Sequence, residues 1–436
     1  MWTDRSVFYQ IYPLGAFGCP FENDFQSKSR ILRMKEWIPH LKKLGVDCIL
    51  FNPVFESHTH GYDTIDYKKL DSRLGTNEDF AFICKLLHEN GIRVVLDGVF
   101  NHVGRGFFAF QDVLMNRENS SYKDWFYINF WENNNYDDHL SYQNWEGNNN
   151  LVKLNLQNYE VVQYLLDVIF FWKNEFQIDG LRLDVAYCLD REFLKTLHRT
   201  CKEMDPSFFL LGETLHGDYN QWVNAEMLDS CTNYECYKGL YSSFNSANLF
   251  EILHSLHRQF GKDNWCLYRG KHLLSFVDNH DVERIASQLV HKEHLSLIYT
   301  MLFTMPGIPC LYYGSEWGAK ANKSEGDPAL RVSFDAPVYN DLSAFITKLA
   351  EAKKNSEALN YGSFRSVVLT NRQCIFARET ESERVFVAIN ADENSYTAHF
   401  DAGCGQAVDL ITGDIHDFGG GSELAPYSAA FWKMER

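Results

Sequence analysis

No two cysteines in this sequence stand at the Cys-x-x-Cys spacing of a zinc or redox motif, although there are eleven of them. Their number is odd, and Cys48, Cys84 and Cys201 fall inside apparent strands or helices. They read as reduced, buried thiols of a cytoplasmic protein. There is no basic excess. Asp and Glu number 58 against 41 Lys and Arg, and the net charge of −17 argues against a nucleic-acid partner or an anionic membrane surface. No apolar run is long enough to span a membrane. The opening stretch, Met1 to Phe8, has no basic segment followed by an apolar one, so no secretion signal is read there. What is present is the composition of a globular chain, 45% hydrophobic and 23% charged. Its 436 residues exceed one compact core and imply a large barrel or sheet domain with smaller parts.

Strand-like and helix-like segments alternate from the start. Val7 to Tyr12 reads as a strand ended by Pro13. Residues 29–44 carry apolar positions at helical spacing (Ile31, Met34, Ile38, Leu41) and stop at Gly45. Val46–Phe51 is an apolar strand, followed by a polar, His-rich loop from Glu56 to Asp66. Residues 77–90 are helical, and Arg93–Asp97 is a third strand. The rhythm breaks over residues 104–155, which are rich in Asn, Tyr, Trp and Asp. A stretch of that length within a compact domain is usually functional, so it reads as an insertion folded over one end of the barrel. The alternation resumes after residue 158, with a short strand expected near Met227–Asp229 and a helix over 246–259, and runs to a helix over 342–354. The fold class is therefore α/β, a (β/α)8 barrel formed by residues 1–103 and 156–356 with residues 104–155 inserted after strand 3. From residue 357, alternating segments between turn residues predict a small antiparallel β-sandwich domain, 357–436.

In a strand, residues i and i+2 share a face. Arg182 and Asp184, in Gly180-Leu-Arg-Leu-Asp184, therefore project together from an apolar strand end. A neighbouring cation favours the ionised carboxylate, as a nucleophile requires, although a purely structural ion pair has the same pattern. Polar residues at the C-terminal ends of the other strands add to it: Asp97, Asn101 and His102 after strand 3, Glu213 after strand 5, His280 and Asp281 after strand 7. That end of a barrel carries catalytic residues, and paired carboxylates there are the equipment of glycoside hydrolysis. Glu213 has no cation beside it in sequence and follows the apolar run 208–211. It is the expected proton donor, with Asp184 the expected ionised partner.

Asp97-Gly-Val-Phe-Asn-His102, Gly180-Leu-Arg-Leu-Asp184, Gly212-Glu213 and Phe276-Val-Asp-Asn-His-Asp281 resemble, in order and spacing, four regions of the α-amylase superfamily (glycoside hydrolase family 13). Gly61-Tyr-Asp-Thr-Ile-Asp-Tyr67 and Leu151-Val-Lys-Leu-Asn155 are also similar, the latter to the cyclomaltodextrinase, neopullulanase and maltogenic amylase branch. The resemblance covers essentially the whole chain. It implies an α-glucan oligosaccharide as substrate and a retaining mechanism. Asp184 would be the nucleophile, Glu213 the acid/base and Asp281 the stabiliser of the distorted ring. Arg182 would orient Asp184, His102 and His280 would bond hydroxyls at subsite −1, and Tyr62 would stack on that sugar. Asp97 would be structural.

The match departs from the branch at Tyr187, Cys188, Leu215 and Val152, which leaves hydrolysis against glycosyl transfer or isomerisation open. The branch's N-terminal domain is expected to be missing, since the barrel begins near residue 5, and its dimer is not carried over. No cofactor is required by this chemistry. A calcium ion is conceivable, with Asn101 as a ligand and Asp137 or Asp138 assisting, although Lys153 stands where calcium-binding branches place an Asp. A metal-dependent amidohydrolase built on His58 and His60 is the distant alternative. Among the tryptophans, Trp145 is the expected subsite contact, while Trp125, Trp131 and Trp222 more often serve as packing.

Overall fold

A computed structural model describes residues 1–435. Eight parallel strands form its central sheet: β1 (Phe8–Ile11), β2 (Cys48–Phe51), β3 (Arg93–Gly98), β4 (Gly180–Leu183), β5 (Phe209–Gly212), β6 (Ser230–Cys231), β7 (Leu274–Phe276) and β8 (Ile308–Tyr312). They are hydrogen-bonded in the order β6-β5-β4-β3-β2-β1-β8-β7, and a parallel bridge between Thr232 and Leu274 joins β6 to β7. The chain is thus an α/β protein built on a (β/α)8 barrel. Its covering helices are α1 (Met34–Leu44), α2 (Asn77–Glu89), α3 (Tyr159–Phe176), α4 (Arg191–Met204), α5 (Tyr234–Asn245), α6 (Phe250–Phe260), α7 (His294–Thr304) and α8 (Asp341–Lys354).

Local chemistry sets the ends of these elements. Gly45, at φ 79°, takes the left-handed position that stops α1. Thr76 and Asp79 close a capping box at the start of α2, and Asn158 and Asp190 cap α3 and α4 by accepting from backbone N–H groups. Strands β1, β2, β4 and β5 are buried along their whole length because helices cover one face and the barrel interior the other, which is why they read as unbroken apolar runs. The interior is filled by Phe8, Cys48, Leu50, Val95, Phe209, Leu211, Leu274, Phe276, Ile308 and Cys310.

Three local readings change. Glu56–Asp66 is not simply a loop: Phe55–Ser57 pairs antiparallel with Thr64–Leu70. The sixth strand lies at Ser230–Cys231 rather than 227–229, and α5 precedes the expected helix, which itself spans Phe250–Phe260. Short strands give little periodicity to read, and the Tyr-rich α5 has too few aliphatic positions to show its helical face.

Within residues 104–155, strand Asn148–Lys153 pairs with His102–Gly104, which anchors the segment to the end of β3. Beyond α8, six antiparallel strands from Ser363 to Glu435 form a second sheet, accompanied by a two-stranded pair. Arg378, wholly buried, donates to the carbonyls of Thr304 and Gly362 and ties this sheet to the barrel.

Next to that contact, Lys353 is buried with its Nζ donating to the Leu359 carbonyl at 3.3 Å. Burial, then the charge of Arg378, push its ammonium down to about 7. The unfolded chain keeps that proton to roughly pH 10.4, so the penalty is full below pH 7 and fades as pH rises toward 10. Lys353→Met is expected to raise stability by on the order of 2–4 kcal/mol at pH 6 and by much less at pH 10. Denaturant unfolding of both proteins at the two pH values checks this.

Candidate active site

The period of two that alternates interior and exterior residues also builds the site. On β1, β2, β3 and β5, Phe8, Leu50, Val95 and Leu211 face the barrel interior. Two residues further along stand Gln10, Asn52, Asp97 and Glu213, and Arg182 follows Gly180 on β4 in the same way. The last inward position of each strand is thus polar, at the C-terminal end.

Arg182 lies at the centre and is buried. It sits opposite Asp97 in the register of β3 and β4, and its Nη1 donates to both oxygens of Asp97 at 2.8 and 2.7 Å. The same nitrogen reaches Asp184 Oδ1 at 3.1 Å, and Nη2 reaches Glu213 Oε1 at 2.7 Å. One guanidinium therefore serves three carboxylates. Burial opposes its charge, but Asp97 and Glu213, with Tyr62 and Asp184, keep it firmly protonated.

This overturns the expectation that Glu213 lacks a cation. β5 lies beside β4, so Glu213 reaches the arginine across the strands, a neighbour that sequence adjacency could not reveal. Arg182 stands beside Asp184 as expected and favours its ionised form, but burial works against that charge. Burial raises the pKa of Asp184 and of Glu213. Arg182 pulls both back, and their mutual repulsion, with Asp97 and Asp281, adds to the rise. The pair titrates as a unit. The Val185 N–H donates to Glu213 Oε2 at 3.0 Å, from a residue at φ 40° and ψ 47°. That left-handed conformation is costly for a β-branched residue, and here it aims an amide at a carboxylate.

Asp281 has different company. Arg331 donates to its Oδ1 at 2.8 Å, and Lys323 donates to its carbonyl. Burial works against its charge, but His280, Arg331, Arg182 and Lys323 hold its carboxyl below the usual range. His280 packs between Tyr12 and Tyr62, with ring centroids 6.2 and 5.7 Å away and planes within 13° and 12°. Gln10 Nε2 lies 3.0 Å from its Nδ1, which makes Nδ1 the acceptor and leaves Nε2–H between the Tyr62 hydroxyl oxygen at 2.5 Å and Asp281 Oδ2 at 3.0 Å. Burial pushes His280 down to about 3, so the ring is neutral. His102 is likewise pushed down to about 3 by burial. Its Nδ1 lies 3.1 Å from Asn101 Nδ2, and its Nε2 is buried with no protein partner.

Asp184, Glu213 and Asp281, with Tyr62, His102 and Trp145, line one cleft of about 580 Å³. The indole of Trp145 lies 6.0 Å from the His102 ring, on the short hairpin turn before Asn148–Lys153. Trp125 is instead buried in an aromatic cluster with Phe108, Tyr122 and Tyr164, Trp222 is buried against Gly217, and Trp131 is 93% exposed. Sequence reasoning missed Gln10, Asn52, Tyr234, Lys323, Asp327 and Arg331. The first two carry a readable signal, the polar residue two past the last apolar inward one. Arg331 and Lys323 come from the long segment after β8, where no periodicity points to them.

Asn101 keeps its Oδ1 buried and without a protein partner, but the residues expected to help it hold calcium do not fit. Asp138 is taken by Arg105 through two bonds of 2.8 and 3.0 Å, and Asp137 lies exposed at the surface. His60 lines the cleft, whereas His58 packs against Phe25 and Gly106. Among the described residues the histidines at 58, 60, 102 and 280 do not join in any close metal-ligating group of three.

The catalytic-domain description of the alpha-amylase family matches residues 34–361. The chain belongs to the alpha-amylase family. It is a glycoside hydrolase of α-glucans. It is 31% identical to a cyclomaltodextrinase of Thermoanaerobacter pseudethanolicus over 89% of this chain and 70% of that protein. It is 33% identical to a maltogenic alpha-amylase of Bacillus acidopullulyticus over 92% and 72%. A solved structure of a cyclomaltodextrinase superposes with a TM-score of 0.86 at 28% identity, covering 99% of this chain and 78% of that one.

Proposed function

We propose that this family member hydrolyses α-1,4-linked maltooligosaccharides, including cyclodextrins and starch-like α-glucans, by double displacement with retention. The observation that carries the reading is the seating of Asp184 and Glu213 on the two terminal nitrogens of Arg182, at the floor of a cleft that Asp281 also lines. Four carboxylates around Arg182 and Arg331 leave an excess of negative charge, which a proton on Glu213 relieves. Glu213 passes that proton to the glycosidic oxygen while Asp184 Oδ attacks the anomeric carbon, and the leaving sugar departs. Glu213, now a carboxylate, takes a proton from water, whose oxygen displaces Asp184. Asp281 stays ionised and faces the positive charge that develops on the ring. The unpaired Nε2–H of His102 suits a hydroxyl group of the sugar in the cleft, and the Tyr62 ring offers it an apolar face, while His280, stacked on Tyr62 with both ring nitrogens engaged, supports Tyr62 and Asp281. No cofactor enters these steps.

The names of the two relatives, a cyclomaltodextrinase and a maltogenic amylase, support cyclic and linear maltodextrins as the substrates to try first. Val185, Tyr187 and Leu215 give the cleft an apolar wall beside Glu213, which favours a second sugar over water as acceptor and so a share of glycosyl transfer. The eleven free cysteines support a reducing, cytoplasmic setting. Maltoheptaose, β-cyclodextrin and pullulan, digested side by side and followed by proton NMR, test the proposal. The first-formed reducing ends are expected as the α-anomer. Turnover of no α-glucoside, or β-anomer released first, overturns it.

A further inference from the structure

Far from the cleft, the segment joining α6 to β7 lies at the opposite, N-terminal end of the barrel. There His257, Asp263 and Cys266 bring one nitrogen, one oxygen and one sulfur within 4.8 Å of one another. Among the described residues this is the one such group of three. We propose that it is a zinc site, with water as the fourth ligand, that pins the α6–β7 connection.

The backbone is built to hold the three side chains together. The Gly261 N–H donates to the His257 carbonyl at 2.8 Å, the Cys266 N–H to the Asp263 carbonyl at 3.1 Å, and the Leu267 N–H to the Arg258 carbonyl at 3.0 Å. The turn therefore folds back on the end of α6 and sets Cys266 beside His257. Gly261 leaves the space between them open. A Cβ there would lie 2.8 Å from Cys266 Sγ and 3.0 Å from His257 Nδ1, so any other residue would fill the cradle. Tetrahedral zinc with bonds of about 2.0–2.3 Å needs its ligands about 3.5 Å apart. Asp263 Oδ2 lies 3.3 Å from His257 Nε2 while Nδ1 faces Cys266, so binding needs the partly exposed imidazole and carboxylate to turn until one nitrogen, the oxygen and the sulfur face a common point. The Trp265 ring, 5.3 Å from the imidazole, shields one side. A thiolate with an imidazole and a carboxylate suits zinc rather than magnesium or calcium, which take oxygen ligands. Without metal, the thiol donates to the His257 carbonyl at 3.1 Å. On binding, the S–H proton leaves to solvent and the sulfur turns to the ion.

Metal-free full-length protein titrated with cobalt(II) tests the site, since a thiolate ligand gives a near-ultraviolet charge-transfer band. One equivalent of cobalt is expected to develop the band, and one equivalent of zinc to abolish it and raise the melting temperature. Cys266→Ser is expected to lose the band, and His257→Ala to weaken binding at least tenfold, while Cys188→Ser, which alters the exposed thiol, keeps both. Hydrolysis of maltoheptaose should be unchanged in the first two variants, which separates this site from the catalytic reading. No band in the natural protein, or a band that survives Cys266→Ser, overturns the proposal.

Discussion

Replacing Glu213 with Gln is expected to lower kcat on maltoheptaose by about 10²–10⁴-fold, the usual share of a positioned proton donor. The amide keeps the shape of the carboxyl and an oxygen that can face Arg182, so the site should stay assembled. The loss should fall on the step that needs the proton. Fluoride leaves from an α-maltosyl fluoride without protonation, so the first step on that substrate should survive in the variant. The second step then stalls for want of a base, and azide, a nucleophile that carries no proton to remove, should restore turnover by forming a glycosyl azide. Steady-state rates on both substrates, with and without azide, separate these effects. Equal losses on both substrates and no rescue would show damage to the site rather than loss of an acid/base group.

The second large effect is on stability as well as rate. Arg182→Met removes the cation shared by Asp97, Asp184 and Glu213 and leaves three buried carboxylates facing one another. Breaking a buried ion pair from one side costs about 3–5 kcal/mol. The sign of the pH dependence follows. With the guanidinium gone, the folded-state pKa values of these carboxyls rise further above their unfolded values of roughly 4. Their contribution is then present below pH 4 and is lost as pH climbs through the raised values. The variant should approach the parent's stability near pH 4 and fall furthest behind above pH 7, as denaturant unfolding across that range would report. Activity should fall by at least about 10³-fold at every pH, because neither Asp184 nor Glu213 keeps its orienting partner. Arg182→Lys should recover part of the stability but little activity, since an ammonium lacks the fork that reaches Asp184 and Glu213 together.

These two expectations also mark where the sequence could be read and where it could not. The barrel was legible because its strands are apolar on both faces and its helices carry caps and a 3.6-residue period. The carboxylates were legible because they stand just past strand ends. The electrostatics were not. Arg182 is two residues from Asp184 along the chain, which suggested a private pair, yet its shortest contacts are to Asp97 and Glu213 on the neighbouring strands. Glu213 looked isolated because its cation comes from the adjacent strand. Arg331, which fixes Asp281, comes from fifty residues further along, after β8. Gln10, which sets the tautomer of His280, and Asn52, which donates to Asp97, were readable in principle from the alternation of β1 and β2 but are ordinary polar residues without their barrel neighbours.

The central claim is that a sugar becomes esterified to Asp184. Incubating the Glu213→Gln protein with a 5-fluoro-α-glycosyl fluoride, whose ring fluorine slows hydrolysis of the ester, and mapping the digested protein by mass spectrometry tests it most directly. The account predicts a single sugar adduct on the peptide containing Asp184, absent from Asp184→Asn. An adduct on Asp281, or turnover with no adduct at all, would contradict it.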